Sequence, residues 1–220
     1  MNRSIVSVQS VFSNYTANFT FAKNPGRLKS NFKNEVIRKT IHFLIALSPS
    51  MAAINKPFTV FLLLFGTLSY TLMEYLRFSG VNIPVFSSIA GLASRPRDNG
   101  RFVLAPITLG FGALLALLFY PSSAAAIAIY ALAFGDGIAS LVGKFLGKCR
   151  PVFLNGKSIE GSLACFTAVY ISAFLVSGSL NVAFVAAFTA TAVEALPLED
   201  YDNLVIPVAV GFAVQFVSVF

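Results

Sequence analysis

A carboxylate set between glycines inside an apolar stretch is the feature of this chain that most invites chemistry. Gly135-Asp136-Gly137 runs on through Ala139, Ser140 and Gly143 to Lys144, with Gly147-Lys148 just beyond. If the stretch is a helix and Lys144 marks a membrane interface, Asp136 lies ~12 Å deeper. A carboxylate at that depth is costly and is normally paired or put to use. The small residues around it let a ligand or a neighbouring helix come close. The plainer alternative is an acid satisfied by a nearby lysine or arginine, with the glycines there for packing.

A second cluster, Asn155-Gly156-Lys157-Ser158-Ile159-Glu160-Gly161-Ser162, places a lysine, two hydroxyls and a carboxylate at the start of another apolar run. A helix beginning there aims its first amides toward Lys157, an arrangement suited to phosphate. Ser158 as N-cap and Glu160 near the positive helix end would equally make an ordinary cap. The Gly-Lys-Ser tripeptide is not a P-loop, because that motif needs a glycine where Pro151 stands and a preceding strand.

Two further groups sit at the ends of apolar runs. Glu194 closes one run and Asp202-Asn203 opens the next, with Pro197 in the turn between them. So short a hairpin lets Glu194, Asp202 and Asn203 converge, and hard oxygen ligands of this kind suit Mg²⁺ completed by phosphate oxygens. Glu199 and Asp200 read as solvated loop acids. In Glu35-Val36-Ile37-Arg38-Lys39-Thr40-Ile41-His42, Arg38 and His42 share a helical face. A lone histidine at a membrane edge also suits a structural hydrogen bond, and Arg38 and Lys39 could serve as interface anchors. Glu74 and Arg77 form a plausible pair three residues apart.

The combined inventory of acids, lysines and a helix N-terminus matches phosphoryl transfer. That reaction asks for Mg²⁺, for cations on the phosphates and for positioning, more than for covalent catalysis. On this reading Asp136, Glu160, Glu194 and Asp202 hold Mg²⁺ or position the accepting hydroxyl. Arg38, His42, Lys144, Lys148, Lys157, Ser158 and Asn203 hold the nucleotide phosphates.

The elements that must position these residues are membrane helices. Of the 220 residues 56% are hydrophobic and only 11% charged, less than half the ~25% a water-soluble domain carries. Apolar runs fall at about 41–55, 58–76, 102–119, 122–143, 161–178, 180–195 and 204–220, and a span needs ~20 residues. The expected architecture is an all-α, polytopic bundle of about seven transmembrane helices with a cytoplasmic N-terminus. Residues 35–220 would be a single catalytic domain, and 1–34 a basic arm lacking the early apolar run of a signal peptide. Threaded this way, all 16 Lys and Arg except Lys56 fall inside, as the positive-inside rule expects. The nine acids, Asp98 among them, fall on the same face, although that rule does not govern acids. Arg95 and Arg97 belong to it too. The net charge of +7 then reflects contact with anionic lipid or phosphate rather than nucleic acid. Cys149 and Cys165 have neither metal-site spacing nor a partner histidine.

Taken in order, these clusters resemble the CTP-dependent lipid-alcohol kinases, the family of dolichol kinase, phytol kinase and the yeast-type diacylglycerol kinase. The resemblance runs from about Glu35 to the C-terminus. It rests on Arg38-Lys39-x-x-His42, Glu74-x-x-Arg77, Gly135-Asp136-x-x-Ala139-x-x-x-Gly143-Lys144-x-x-Gly147, Lys157-Ser158-x-Glu160-Gly161-Ser162, and Glu194-Ala195 followed by Asp202-Asn203 and Pro207. It implies CTP as phosphoryl donor and a lipid alcohol in the bilayer as acceptor, a prenol such as phytol or a polyprenol first among them. The family often carries the label of phosphatidate cytidylyltransferase, so that activity is the main alternative. The Lys-Asp and His-Gly-Gly signature of the true cytidylyltransferases is not present in this chain. An ion-coupled transporter is a third reading, but its acids would sit near the midplane on repeated, broken helices.

Overall fold

The computed structural model describes residues 25–81, 86, 100–151, 154 and 156–219, with side chains from Glu35 to Ser218. Arg95, Arg97, Asp98, Asn155 and the first 24 residues, where most of the basic arm falls, lie outside the described residues. The chain divides into two units, Met1–Lys33 and Asn34–Phe220. Everything that follows concerns the second, apart from the backbone of the first helix.

Among the described residues there is no strand. Seven helices with defined bounds follow one another among the described residues: α1 (Pro25–Ile45), α2 (Ser48–Phe78), α3 (Ala105–Phe119), α4 (Ser122–Phe145), α5 (Ile159–Ser177), α6 (Leu180–Glu194) and α7 (Asp202–Val219). Helices α2, α4 and α5 are long and apolar enough to cross a membrane, whereas α3, α6 and α7 are shorter apolar helices. Phe61, Phe119, Leu175 and Phe212 stand more than half exposed. So broad an apolar surface would drive aggregation in water and is at ease in hydrocarbon. The fold is all-helical and belongs to a membrane.

The run at 41–55 does not form one helix, as expected, but is shared between two. Helix α1 begins at Pro25 and stops at Ile45, and a tight turn at Ala46 and Leu47 leads into α2. Pro49 explains the break: it has no N–H to continue the ladder but fits the first turn of a new helix. Nor is Asn55-Lys56-Pro57 a loop between spans. It is a kink within α2, where Asn55 leaves helical geometry (φ −150°, ψ 94°). The Asn55 side chain accepts the Phe58 amide at 3.0 Å and so caps the restarted helix.

Helix α4 is the centre of the bundle. Within its most apolar stretch 61% of residues are buried, against 11% in α2 and 22% in α5. Its sequence explains this, since Ala124, Ala125, Ala128, Ala131 and Ala133 let neighbouring backbones approach closely. Helices α5, α6 and α7 pack around one side, where Cys165, Val169, Ala186, Ile206 and Val210 complete the core. Helices α2 and α3 cover the other. From Ala131 to Asp136 the helix widens into a π turn, a form rare in general and frequent at functional positions.

Helices α3 and α7 cross where Gly112 meets the Asn203 carbonyl. A Cβ at 112 would fall on that oxygen and lie 3.0 Å from the Pro207 ring. Gly112→Ala is therefore expected to destabilise the bundle by about 1–3 kcal/mol through overpacking, read as a lowered unfolding midpoint in detergent. An unchanged midpoint would mean that this crossing is slack.

Candidate functional site: a charged cavity at one end of the bundle

Helix α1 turns a wholly polar face inward. Glu35, Arg38, Lys39 and His42 recur at helical spacing, and all are at least nine-tenths buried. Lys39 is fully buried and donates to Asp136 Oδ2 at 2.6 Å and to the Asp136 carbonyl at 3.3 Å. His42 Nδ1 lies 3.3 Å from the same carboxylate oxygen. The deep acid is thus paired, and its partner comes from a helix nearly a hundred residues away in sequence. One turn toward the polar end of α1, Glu35 takes a hydrogen bond from Arg38 at 2.5 Å and pairs with Lys144 from the end of α4.

The loop after α4 is held by its own backbone. Arg150 donates to the carbonyls of Gly143 and Gly156, each at 2.5 Å. Ser158 caps α5 by accepting the Gly161 amide at 3.1 Å. The glycines explain how α4 and α5 meet: a Cβ at Gly161 would come 2.9 Å from the Ala139 carbonyl and 3.1 Å from Gly143 Cα. Lys157, just before the cap, reaches across to α6, with Nζ 3.3 Å from Glu194 Oε1 and a second hydrogen bond to the Glu194 carbonyl. Glu194 Oε2 is buried and has no hydrogen-bond partner among the described residues.

These groups surround a cavity of about 490 Å³, within the ~300–1,000 Å³ usual for small-molecule sites. Of the residues singled out in the sequence, Arg38, Asp136, Lys144, Lys157, Ser158, Glu194 and Asp202 line it together. Four others do not. Glu160 accepts the backbone amides of Lys148 and Cys149 at 2.9 and 3.1 Å, so it braces the preceding loop instead of facing the cavity. Lys148 is exposed and supplies only its amide to that brace. His42 lies behind Asp136. Asn203 is turned to α3, donating to the Ala105 carbonyl and the Thr108 hydroxyl, each at 3.2 Å.

Residues outside that set also matter to the site. Lys39, which could have served as an interface anchor, is the buried partner of Asp136. Glu35 ties Lys144 to α1. Arg150 lines the cavity in the place expected of Lys148. Thr108 hydrogen-bonds the Asp200 carbonyl at 2.8 Å and so pins the α6–α7 hairpin to α3. Glu74 and Arg77 do pair, at 2.6 and 2.8 Å, and Glu74 also takes the Val103 amide at 2.7 Å. They clamp the entrance to α3 and do not line the cavity.

Among the described residues no three His, Cys, Asp or Glu side chains are grouped to hold a metal ion. Of the four acids expected to hold Mg²⁺ or position the hydroxyl, Asp136 is engaged by Lys39 and His42 and Glu160 by backbone amides. A smaller set remains. Mg²⁺ needs only one or two carboxylates when phosphate oxygens complete its shell. Glu194, with its partnerless oxygen, and Asp202 line the same cavity and satisfy that requirement.

No protein-family model, curated protein or solved structure matches the chain.

Proposed function

We propose that the chain is a membrane kinase of the CTP-dependent lipid-alcohol kinase type, transferring the γ-phosphate of a nucleoside triphosphate to a lipid alcohol, with a prenol as the preferred acceptor. In this reading the helices form a multi-pass bundle of about seven spans, with the N-terminus and the cavity on the cytoplasmic side. One observation carries the proposal: a single cavity joins Arg38, Lys144, Arg150 and Lys157 to Asp136, Glu194, Glu199 and Asp202. Cations and carboxylates are balanced there. A bare anion would meet no net attraction, whereas a triphosphate that brings its own divalent ion uses both sets.

The roles follow from position. Lys144, Lys157 and Arg150 bind and orient the phosphates beside the N-terminus of α5, whose first amides add to their field. Asp202 would hold Mg²⁺ together with phosphate oxygens, and the ion when bound spreads the charge developing on the transferred group. The lipid hydroxyl oxygen bonds to the γ-phosphorus as the bond to the β–γ bridging oxygen breaks. The hydroxyl proton passes to a carboxylate, for which Glu194 Oε2 is an acceptor without a hydrogen-bond partner among the described residues. Asp136, paired with Lys39, fixes α1, and with it Arg38, against α4.

Purified protein in nanodiscs, given γ-labelled CTP or ATP with Mg²⁺ and a panel of phytol, polyprenol and diacylglycerol, provides the test. The expected result is label on a lipid alcohol with release of nucleoside diphosphate. Pyrophosphate release with a nucleotidyl-lipid product would replace the kinase by a cytidylyltransferase. Substrate uptake into proteoliposomes without any nucleotide turnover would overturn the enzyme reading.

A further inference from the structure

A second cavity lies between α1, α2 and α3, with a volume of about 330 Å³. At the ~30 Å³ of a water-sized group, a chain of about ten methylenes would fill it. Leu44, Leu47 and Leu62 on its rim are roughly half exposed, so it opens toward surrounding lipid. Three of the four hydroxyls on its wall bond back to their own helix, Ser48 to the Ile45 carbonyl at 2.7 Å, Thr59 to Asn55 at 2.9 Å and Thr67 to Leu63 at 2.7 Å, and the fourth, of Tyr70, is buried. Side chains bonded back to their own helix leave an apolar lining.

Two observations say what belongs in this groove. The first is adjacency along α1: Arg38 lines the charged cavity and Ile41, one turn further along the helix, lines the groove. A molecule with a polar head at Arg38 would lay its tail there. The second is Gly66. It stands in the middle of α2 on the groove wall, where glycine weakens a helix, yet a Cβ there would meet nothing within 4 Å. No contact among the described residues requires that glycine, in contrast to the facing Gly110, whose Cβ would strike Thr67. The missing side chain leaves room for something outside the protein.

We propose that this groove binds the hydrocarbon chain of the lipid alcohol whose hydroxyl enters the charged cavity. The assignment of that lipid as the phosphoryl acceptor rests on the kinase reading; the groove itself does not. The test uses the full chain in nanodiscs with a diazirine-bearing polyprenol, with and without nucleotide, and maps the labelled peptides. Labelling concentrated on residues 41–51 and 59–70, competed by unlabelled prenol and cut at least tenfold by Gly66→Phe, is the expected result. Labelling spread evenly over lipid-facing residues such as Phe119, Leu175 and Phe212, or indifferent to prenol or to Gly66→Phe, would overturn it. Kinase turnover with unlocalised labelling would sink the groove alone. Localised labelling with no phosphoryl transfer to any alcohol would sink the kinase reading and leave the groove standing.

Discussion

Lys39→Met should cost the protein about 3–5 kcal/mol of stability, the usual penalty for stranding one member of a buried ion pair. Lys39 is fully buried and its ammonium is 2.6 Å from Asp136 Oδ2. Methionine matches the stem but leaves the carboxylate facing only His42 and more distant charge. The unfolding midpoint in detergent should fall sharply. The companion variant carrying both Lys39→Met and Asp136→Leu removes the charge with its partner, and should recover most of the loss, since a buried pair is worth little against well-packed apolar residues. If Lys39→Met alone melts like the wild type, the ion pair does not join α1 to α4.

Glu194→Gln should leave the fold intact and depress turnover by about 10²–10⁴-fold, the range a positioned proton acceptor contributes. The amide keeps an oxygen for Lys157, which now lies 3.3 Å from Oε1, so the α5–α6 contact survives. What changes is Oε2: a buried acceptor with no partner becomes an NH₂ group that can neither take a proton nor ligate an ion. The informative measurement is kcat against KM in the same nanodiscs used for the wild type. A rise in KM with kcat unchanged would return Glu194 to substrate binding, and unaltered kinetics would remove it from the site.

The sequence made parts of this legible and hid others for physical reasons. Asp136 could be singled out because a carboxylate is conspicuous in an apolar run. Its partner could not, because Lys39 is 97 residues away and a lysine near a helix end reads equally well as an anchor. Glu160 misled for a related cause. An acid in the first helical turn is as good at holding amides of a preceding loop as at facing a ligand, and only the path of 148–150 decides. The hairpin from Glu194 to Asp202 was readable because so short a connection restricts where its ends can go. The break at Ala46 and Leu47 was announced by Pro49 and obscured by the apolar residues on both sides. Nothing in the residues 131–136 marks a π turn, whose winding depends on neighbours that the local pattern does not contain.

That π turn sets the angular phase of the central helix. Successive α-helical residues advance by about 100°, so one residue taken up in a wider turn offsets everything after it by about that angle. Before the turn α4 packs its alanines against α3, α5 and α7; at the end of the turn Asp136 faces Lys39 of α1. The widened turn lets one continuous rod serve two differently oriented sets of neighbours, a dry seam and a polar chamber, without a loop to uncouple them.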